Sequence, residues 1–346
     1  MNSCERVLEV LNLEEPDRVP IGSFAAGIGG RVAGFNPIEY CTSGKRMAQG
    51  QRILHEKYGF DILFPFSHVG MIAEGWGCRI KYLERDVAPM IDDYIVKKAA
   101  DWEKLEILNP ARDGKIPVIL DAVGRLKDRL KDDAFVLGVM FSPITTATHV
   151  RVMMDVLRDV MKEPGLLKEG LDVITESLIA EAEALEEVGA DAIFLAITRA
   201  TAEVMTKKQY EDIAIEFDKR LLRSIDIPVI VHACGKEPYM DLILSLPHIS
   251  GINWWDRGSI FTLKDMKERY GRIVALFGGL DQTRTFVRGA TREDVINEGR
   301  DAIATAGHDG GFVLFSGCDL PIQVPAELLG AIKACVDLYG NYPLEV

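Results

Sequence analysis

An α/β fold of the (β/α)8 TIM-barrel type is what this sequence predicts, and three observations lead to it. Eight short apolar runs read as buried strands, mostly separated by stretches with the period of an amphipathic helix. Eight such strand–helix units close a parallel barrel. No glycine fingerprint follows the first run, which counts against the competing doubly wound open sheet. The 346 residues, 48% of them hydrophobic, can bury a large core, read here as one domain over 1–346.

An opening helix over Cys4–Leu11 is an N-terminal extension that leads through Pro16 into the first strand, Arg18–Phe24. Gly27-Ile28-Gly29-Gly30 follows, without the Lys-Ser/Thr ending or the G-x-G-x-x-G spacing of a phosphate loop. A helix over Lys45–Tyr58 precedes the second strand, Asp61–Phe66. Residues 70–113, with Gly75, Gly77 and a charged stretch, read as a hairpin and loops inserted between the second and third strands. A helix over Ile116–Leu130 then feeds the third strand, Phe135–Phe141.

Beyond that point the alternation is cleaner. Helical periodicity runs through Arg151–Lys162 and Gly165–Val188, with Gly189 as a C-terminal stop. The fourth strand is Ala190–Ala196, and a helix over Lys207–Ser224 ends before Pro228, which opens the fifth strand, Pro228–His232. Glu237–Leu246 reads as helix, Gly251–Trp255 as the sixth strand, Leu263–Tyr270 as helix and Ile273–Phe277 as the seventh strand. Thr291 caps a helix over Arg292–Ala306 that carries acids in its first turn. Phe312–Ser316 is the eighth strand, and a helix over Pro325–Tyr339 closes the chain.

A formal net charge of −13 argues against a nucleic-acid or anionic-membrane surface, either of which needs a basic stripe. The opening residues lack an apolar signal region, and no stretch approaches the roughly 20 apolar residues of a membrane span. Six cysteines without framework spacing suit reduced thiols in a cytoplasmic protein. Cys4, Cys41, Cys78 and Cys335 read as small buried side chains.

In a barrel the catalytic groups come from loops after the C-terminal ends of the strands. His232 and Cys234 follow the fifth strand, Asp256 the sixth, Asp281 the seventh, and Cys318 and Asp319 the eighth, so neighbouring strands converge on one mouth. His232, Cys234 and Cys318 suit a zinc ion (Zn2+) held by one imidazole and two thiolates, with a fourth position left open as in catalytic sites. The competing reading makes them two buried apolar thiols and a hydrogen-bonded core histidine. Their shared place at the strand ends favours zinc. Two thiolates cancel the ion's charge, which makes it a poor Lewis acid for water and a good host for soft sulfur. A thiol entering the open position loses its proton there. Such a site suits alkylation of a thiol, or the reverse reaction.

Arg18-Val19-Pro20 at the first strand, His-x-Cys-Gly at the fifth and Gly317-Cys318 at the eighth resemble the uroporphyrinogen decarboxylase superfamily over nearly the whole chain. The resemblance is closest to its zinc-dependent corrinoid methyltransferase branch, the methylcobamide:coenzyme M methyltransferases. It implies His232, Cys234 and Cys318 as zinc ligands. It also implies an acid about two dozen positions after the histidine that completes the metal shell before substrate binds. Asp256 stands there in place of the usual Glu, and reads either as that ligand or as a loop acid paired with Arg257. Glu74, in Ala73-Glu74-Gly75-Trp76-Gly77, stands where relatives keep an acid near the pocket, or is a turn residue.

Where the coenzyme M enzymes carry an acid after the fourth strand, this chain reads Ala196-Ile197-Thr198-Arg199. Arg199 then either binds an anionic substrate end, a sulfonate or carboxylate, or pairs with Glu203. Trp254 and Trp255 straddle the sixth strand, so one of them points inward, as a substrate-pocket wall (Trp255) or as packing. His68, ending the second strand, either lines the mouth or is hydrogen-bonded in place. The resemblance implies methyl transfer between a corrinoid and a small acceptor such as coenzyme M or another thiol. No Asp-x-His-x-x-Gly segment occurs, so the corrinoid (methylcobamide) is expected on a partner protein. A corrinoid-linked demethylase of methoxy or methylamine compounds is the alternative. Decarboxylation of uroporphyrinogen fits less well, because the segment after the first strand has one arginine, Arg31, where decarboxylases are arginine-rich. A non-catalytic scaffold is the reading from another class.

Overall fold

A computed structural model describes residues 1–83 and 87–346; residues 84–86, part of the charged stretch of the insertion, lie outside the described residues. The strands are β1 (Ile62–Leu63), β2 (Arg79–Lys81), β3 (Met90–Asp93), β4 (Phe135–Phe141), β5 (Ala192–Ile197), β6 (Val229–Ala233), β7 (Ile249–Trp254), β8 (Ala275–Leu280) and β9 (Phe312–Ser316). Seven of them pair in parallel in the order β1-β4-β5-β6-β7-β8-β9. Every residue of β4, β5, β6, β8 and β9 is buried, because helices cover one face and the barrel interior the other. This double burial is why these strands read as unbroken apolar runs. The expected insertion holds the β2–β3 antiparallel pair between short 3-10 helices at Ala73–Trp76 and Ala99–Lys104.

The ring closes where the first strand was expected, but without a regular ladder. Gly22 N–H donates to Leu314 O at 3.2 Å and Leu314 N–H to Pro20 O at 3.0 Å on one side of this segment. On the other side, Asp61 N–H donates to Ile21 O at 2.8 Å. Pro20 has no N–H to extend the pairing. The expected second strand, Asp61–Phe66, likewise shrinks to Ile62–Leu63: Phe64 N–H goes to Gln51 Oε1 at 2.9 Å, and Pro65 has none.

Several helices differ from expectation. The helix expected over Arg151–Lys162 is present as Met153–Lys162, but an unexpected helix, Pro143–Val150, buried along its whole length, precedes it. Lys207–Ser224 divides at Ala214, and Glu237–Leu246 contracts to Met240–Ile243. Two further short helices, Ile28–Val32 and Pro37–Cys41, fill the mouth after the ring-closing segment. The second starts with Pro37 after an Asn36–Glu39 capping box. Among the described residues no helix is long and apolar enough to cross a membrane.

Side chains hold the seam. The Asp61 carboxylate, about 1% exposed, accepts from Arg6 Nη1 at 2.7 Å, Arg18 Nη1 and Nη2 at 2.9 Å, Ser3 Oγ at 2.9 Å and Ile21 N–H at 2.8 Å. It ties the opening helix (Ser3–Leu11) to both sides of the ring closure. Asp61→Ala removes the partner shared by both guanidinium groups and leaves Arg6 with Asp17, 2.6 Å away, so the expected loss is about 3 kcal/mol in urea unfolding.

On the long helix Pro164–Glu187, Glu181 is buried with neither carboxyl oxygen hydrogen-bonded, and burial pushes its pKa up to about 8. The folded chain keeps this proton up to about pH 8, whereas the unfolded chain releases it near the ordinary glutamate value of 4.5. The resulting stability is complete below the unfolded value and is lost as pH rises through the folded one. Glu181→Gln, which cannot ionise, should therefore match wild type near pH 4 and exceed it by a few kcal/mol at pH 9 in the same measurement.

Candidate metal centre

The floor of the barrel mouth is aromatic. Phe24 and Phe64 lie 4.4 Å apart between ring centroids, and Phe64 and Phe194 lie 5.0 Å apart. The His232 imidazole rests on this floor, stacked on Phe194 at 5.8 Å and edge-on to Phe24 at 5.6 Å. The parallel register that sets Ala196 beside His232 and His232 beside Asn253 brings the ends of β5, β6 and β7 level.

Asn253, fully buried on β7, fixes how that imidazole presents itself. Its Nδ2 donates to Phe277 O on β8 at 2.8 Å and to Ser316 O on β9 at 3.0 Å. Carbonyls only accept, so the amide must point its Oδ1 at His232, 2.6 Å from Nδ1. Nδ1 therefore carries the proton and Nε2 is left as a bare donor atom. Asn253 is the functional residue that sequence reasoning missed. Its signal was a carboxamide inside the apolar run Gly251-Ile252-Asn253-Trp254.

His232, Cys234 and Cys318 come together. Their ligand atoms all lie within 4.8 Å of one another, with Cys318 Sγ 3.8 Å from His232 Nε2. Ligands about 2.0–2.3 Å from a tetrahedral zinc stand roughly 3.5–3.8 Å apart, so the three residues fit that ion in spacing and in donor chemistry. The six cysteines divide into two kinds. Cys4, Cys41, Cys78 and Cys335 donate to backbone carbonyls, and burial pushes their thiols up to about 11 or 12. Cys234 is instead held down at about 4, chiefly by the hydrogen bond from Cys318 and further by the Arg199 charge, while the proton stays on Cys318.

The other candidates occupy distinct places. Asp256 stands outside the ligand group. Its Oδ1 accepts from Gly279 N–H at 3.0 Å, and its other oxygen lies 3.4 Å from Arg257 Nε, the loop-acid arrangement. Burial raises its pKa to about 6. Asp281 binds its own loop through Thr283 and Arg284. Trp254 is fully buried and donates to Phe261 O at 2.7 Å; Asn253 beside it points into the barrel, so strand alternation turns this indole to the helix-covered face, as packing. Trp255 is half-buried at the mouth, with Nε1 3.4 Å from Asp281 Oδ1. A Cβ on Gly317 would lie 2.9 Å from Trp255 Cα, so that close approach requires glycine before Cys318.

His68 is buried with Nε2 3.1 Å from Tyr82 OH, and its Nδ1 has no hydrogen-bond partner. Glu74 pairs with Lys115 at 3.1 Å and accepts from Tyr82 OH at 3.5 Å. A cleft of about 100 Å3, lined in part by Phe35, Tyr40, Phe66, His68, Asp319 and Ile322, adjoins the ligands through Asp319, which follows Cys318. Burial raises the Asp319 carboxyl to about 7. Arg199 lies beyond the end of β5. Its Nε and Nη2 both contact Thr148 Oγ1, at 3.1 and 3.0 Å.

The Asn253 bonds can be tested directly. Asn253→Ala should free the imidazole to turn and lower zinc affinity roughly 10- to 100-fold in competition with a chromophoric chelator. Unchanged affinity would mean that the tautomer is set elsewhere.

Known proteins resemble this chain over almost all of its length. The chain is 25% identical over 337 residues to a methylated-thiol–coenzyme M methyltransferase of Methanosarcina mazei, covering 90% of this chain and 88% of the relative. It is also 25% identical over 344 residues to a methylcobamide:CoM methyltransferase of Methanosarcina acetivorans, covering 97% of each. A solved methyltransferase structure from Methanosarcina mazei superimposes with a TM-score of 0.88 at 24% identity, covering 98% of this chain and 99% of that one, and shares the fold. The uroporphyrinogen decarboxylase (URO-D) family model matches residues 2–339, and the chain belongs to that family.

Proposed function

We propose that the protein is a zinc-dependent methyltransferase that moves a methyl group between a corrinoid on a partner protein and a small thiol such as coenzyme M. The observation that carries this reading is the meeting of one imidazole and two cysteine sulfurs beside a cleft at the barrel mouth. The relatives named as methylcobamide:CoM methyltransferases support it. His232, Cys234 and Cys318 would hold the zinc, which would lower the pKa of a substrate thiol bound beside them.

The chain's own residues do the rest. Asn253 holds His232 in the ligating tautomer, and the phenylalanine floor keeps water from beneath the imidazole. The cleft beside Asp319, with His68 in its wall, gives a small substrate room beside the ligands. In the transfer the substrate sulfur forms a bond to the methyl carbon, the carbon–cobalt bond breaks, and its electron pair stays with the corrinoid. Decarboxylation of a polycarboxylate finds less support here. Arg31, the single arginine after the ring-closing segment, donates to Ile322 O and Val324 O, each at 2.8 Å.

Purified wild type should contain about one zinc per chain and demethylate methylcobalamin with added thiols, read from the change in its visible spectrum. Cys318→Ser should lose most of both. Normal zinc content and turnover in Cys318→Ser would defeat the site assignment. Activity with a methyl ether and with no thiol would transfer the proposal to a demethylase.

A further inference from the structure

Arg199 is a largely buried cation with no carboxylate partner among the described residues. Its recorded contacts are the two to the Thr148 hydroxyl, which itself donates to Thr145 O at 2.6 Å. Glu203, the acid close to it in sequence, is engaged by Thr201 Oγ1 and the Lys236 N–H. Of the five N–H groups of a guanidinium, three are left over. The anion acting most strongly on it is the Cys234 sulfur, which a bound metal would take up, so the guanidinium keeps charge and N–H groups to offer a ligand.

Other unsatisfied polar atoms occur on the same side of the mouth. The buried Thr146 Oγ1 and His149 Nδ1, on the helix Pro143–Val150 that carries Thr148, have no hydrogen-bond partner. His149 lies close enough to Arg199 for that charge to reinforce the effect of burial, which brings its pKa down to about 3. The register places this cation next to the metal ligands. Ile197 pairs with Ala233 at the ends of β5 and β6; Arg199 is two residues beyond the first, and Cys234 one beyond the second. Adjacent strands run about 4.8 Å apart, so the two side chains leave neighbouring strand ends at nearly the same height. A short thiol can span that gap with its sulfur at the metal ligands and its far end at the guanidinium.

We propose that Arg199, with the hydroxyls of the Pro143–Val150 helix, binds the anionic end of the thiol acceptor, so that the preferred substrates are short mercapto-acids, sulfonates or carboxylates. This inference rests on the methyltransferase reading above. Arg199 sets specificity through charge and forked hydrogen bonding, which lysine reproduces only in part.

The test compares wild type, Arg199→Gln and Arg199→Lys, each confirmed to be folded and loaded with zinc. Methyl transfer from methylcobalamin is followed with 2-mercaptoethanesulfonate, 3-mercaptopropionate and neutral 2-mercaptoethanol. Cobalt(II)-substituted enzyme gives a second readout, because thiol binding shifts its visible bands without turnover. Wild type should favour both acids over the neutral thiol. In Arg199→Gln, KM and the spectral dissociation constant for the acids should rise roughly 10- to 100-fold, bringing selectivity near unity, with partial recovery in Arg199→Lys. Preference for one acid over the other identifies the natural headgroup class. Equal losses for charged and neutral thiols, or a change confined to the KM for the corrinoid, would overturn the proposal. If wild type accepts every thiol irrespective of charge, this inference alone fails. If it methylates none, the methyltransferase reading fails, and the cobalt spectra still decide whether Arg199 holds a mercapto-acid.

Discussion

One buried carboxamide links four strands and decides which atom of a histidine faces the ligand position. Asn253 on β7 bonds to His232 on β6, Phe277 on β8 and Ser316 on β9, and each partner limits the orientation that the others allow. Two carbonyl acceptors leave the amide one way round, and that leaves the imidazole one tautomer. In a low-dielectric interior an unmet amide group is costly, so the arrangement is all-or-none and stiff. A metal site needs that stiffness, because a ligand free to rotate binds weakly.

Around that link the chain uses burial to give similar groups different properties. Four cysteines packed among apolar side chains have thiols pushed far above neutrality. The two at the strand ends share a proton between sulfurs that lie close together, and Cys234 is held near 4. Asp256, buried at the end of the neighbouring strand, faces an arginine and a backbone N–H, where it closes a loop. Strand-end position brings side chains to the mouth, and the partners they meet there set their chemistry.

The barrel was legible because doubly buried parallel strands are continuous apolar runs, as β4 and β9 are. The triad was legible for a related reason, since a polar residue just past such a run must face the mouth. What was not legible depended on contacts across sequence distance. Phe64 leaves its strand for Gln51, and the first strand stays irregular around Pro20. The Pro143–Val150 helix, rich in threonine and buried on all sides, has no polar face to reveal its period. Arg199 stood beside Glu203 in the sequence, but folding gave it Thr148, 51 positions away. Asn253 was visible as a polar residue in an apolar strand, yet only its three partners show what it does.

The way the ring closes has a mechanical consequence. From β4 to β9 the wall is a continuous ladder of backbone bonds, while the gap between β9 and β1 is filled by an irregular segment with a few backbone bonds on each side and one carboxylate gripping two arginines. Such a cylinder has a stiff arc and a compliant one. The stiff arc carries the imidazole and both sulfurs, and the compliant arc leads into the short helices Ile28–Val32 and Pro37–Cys41 bordering the cleft. Bulk can press in from that quarter while the ligand atoms keep their spacing.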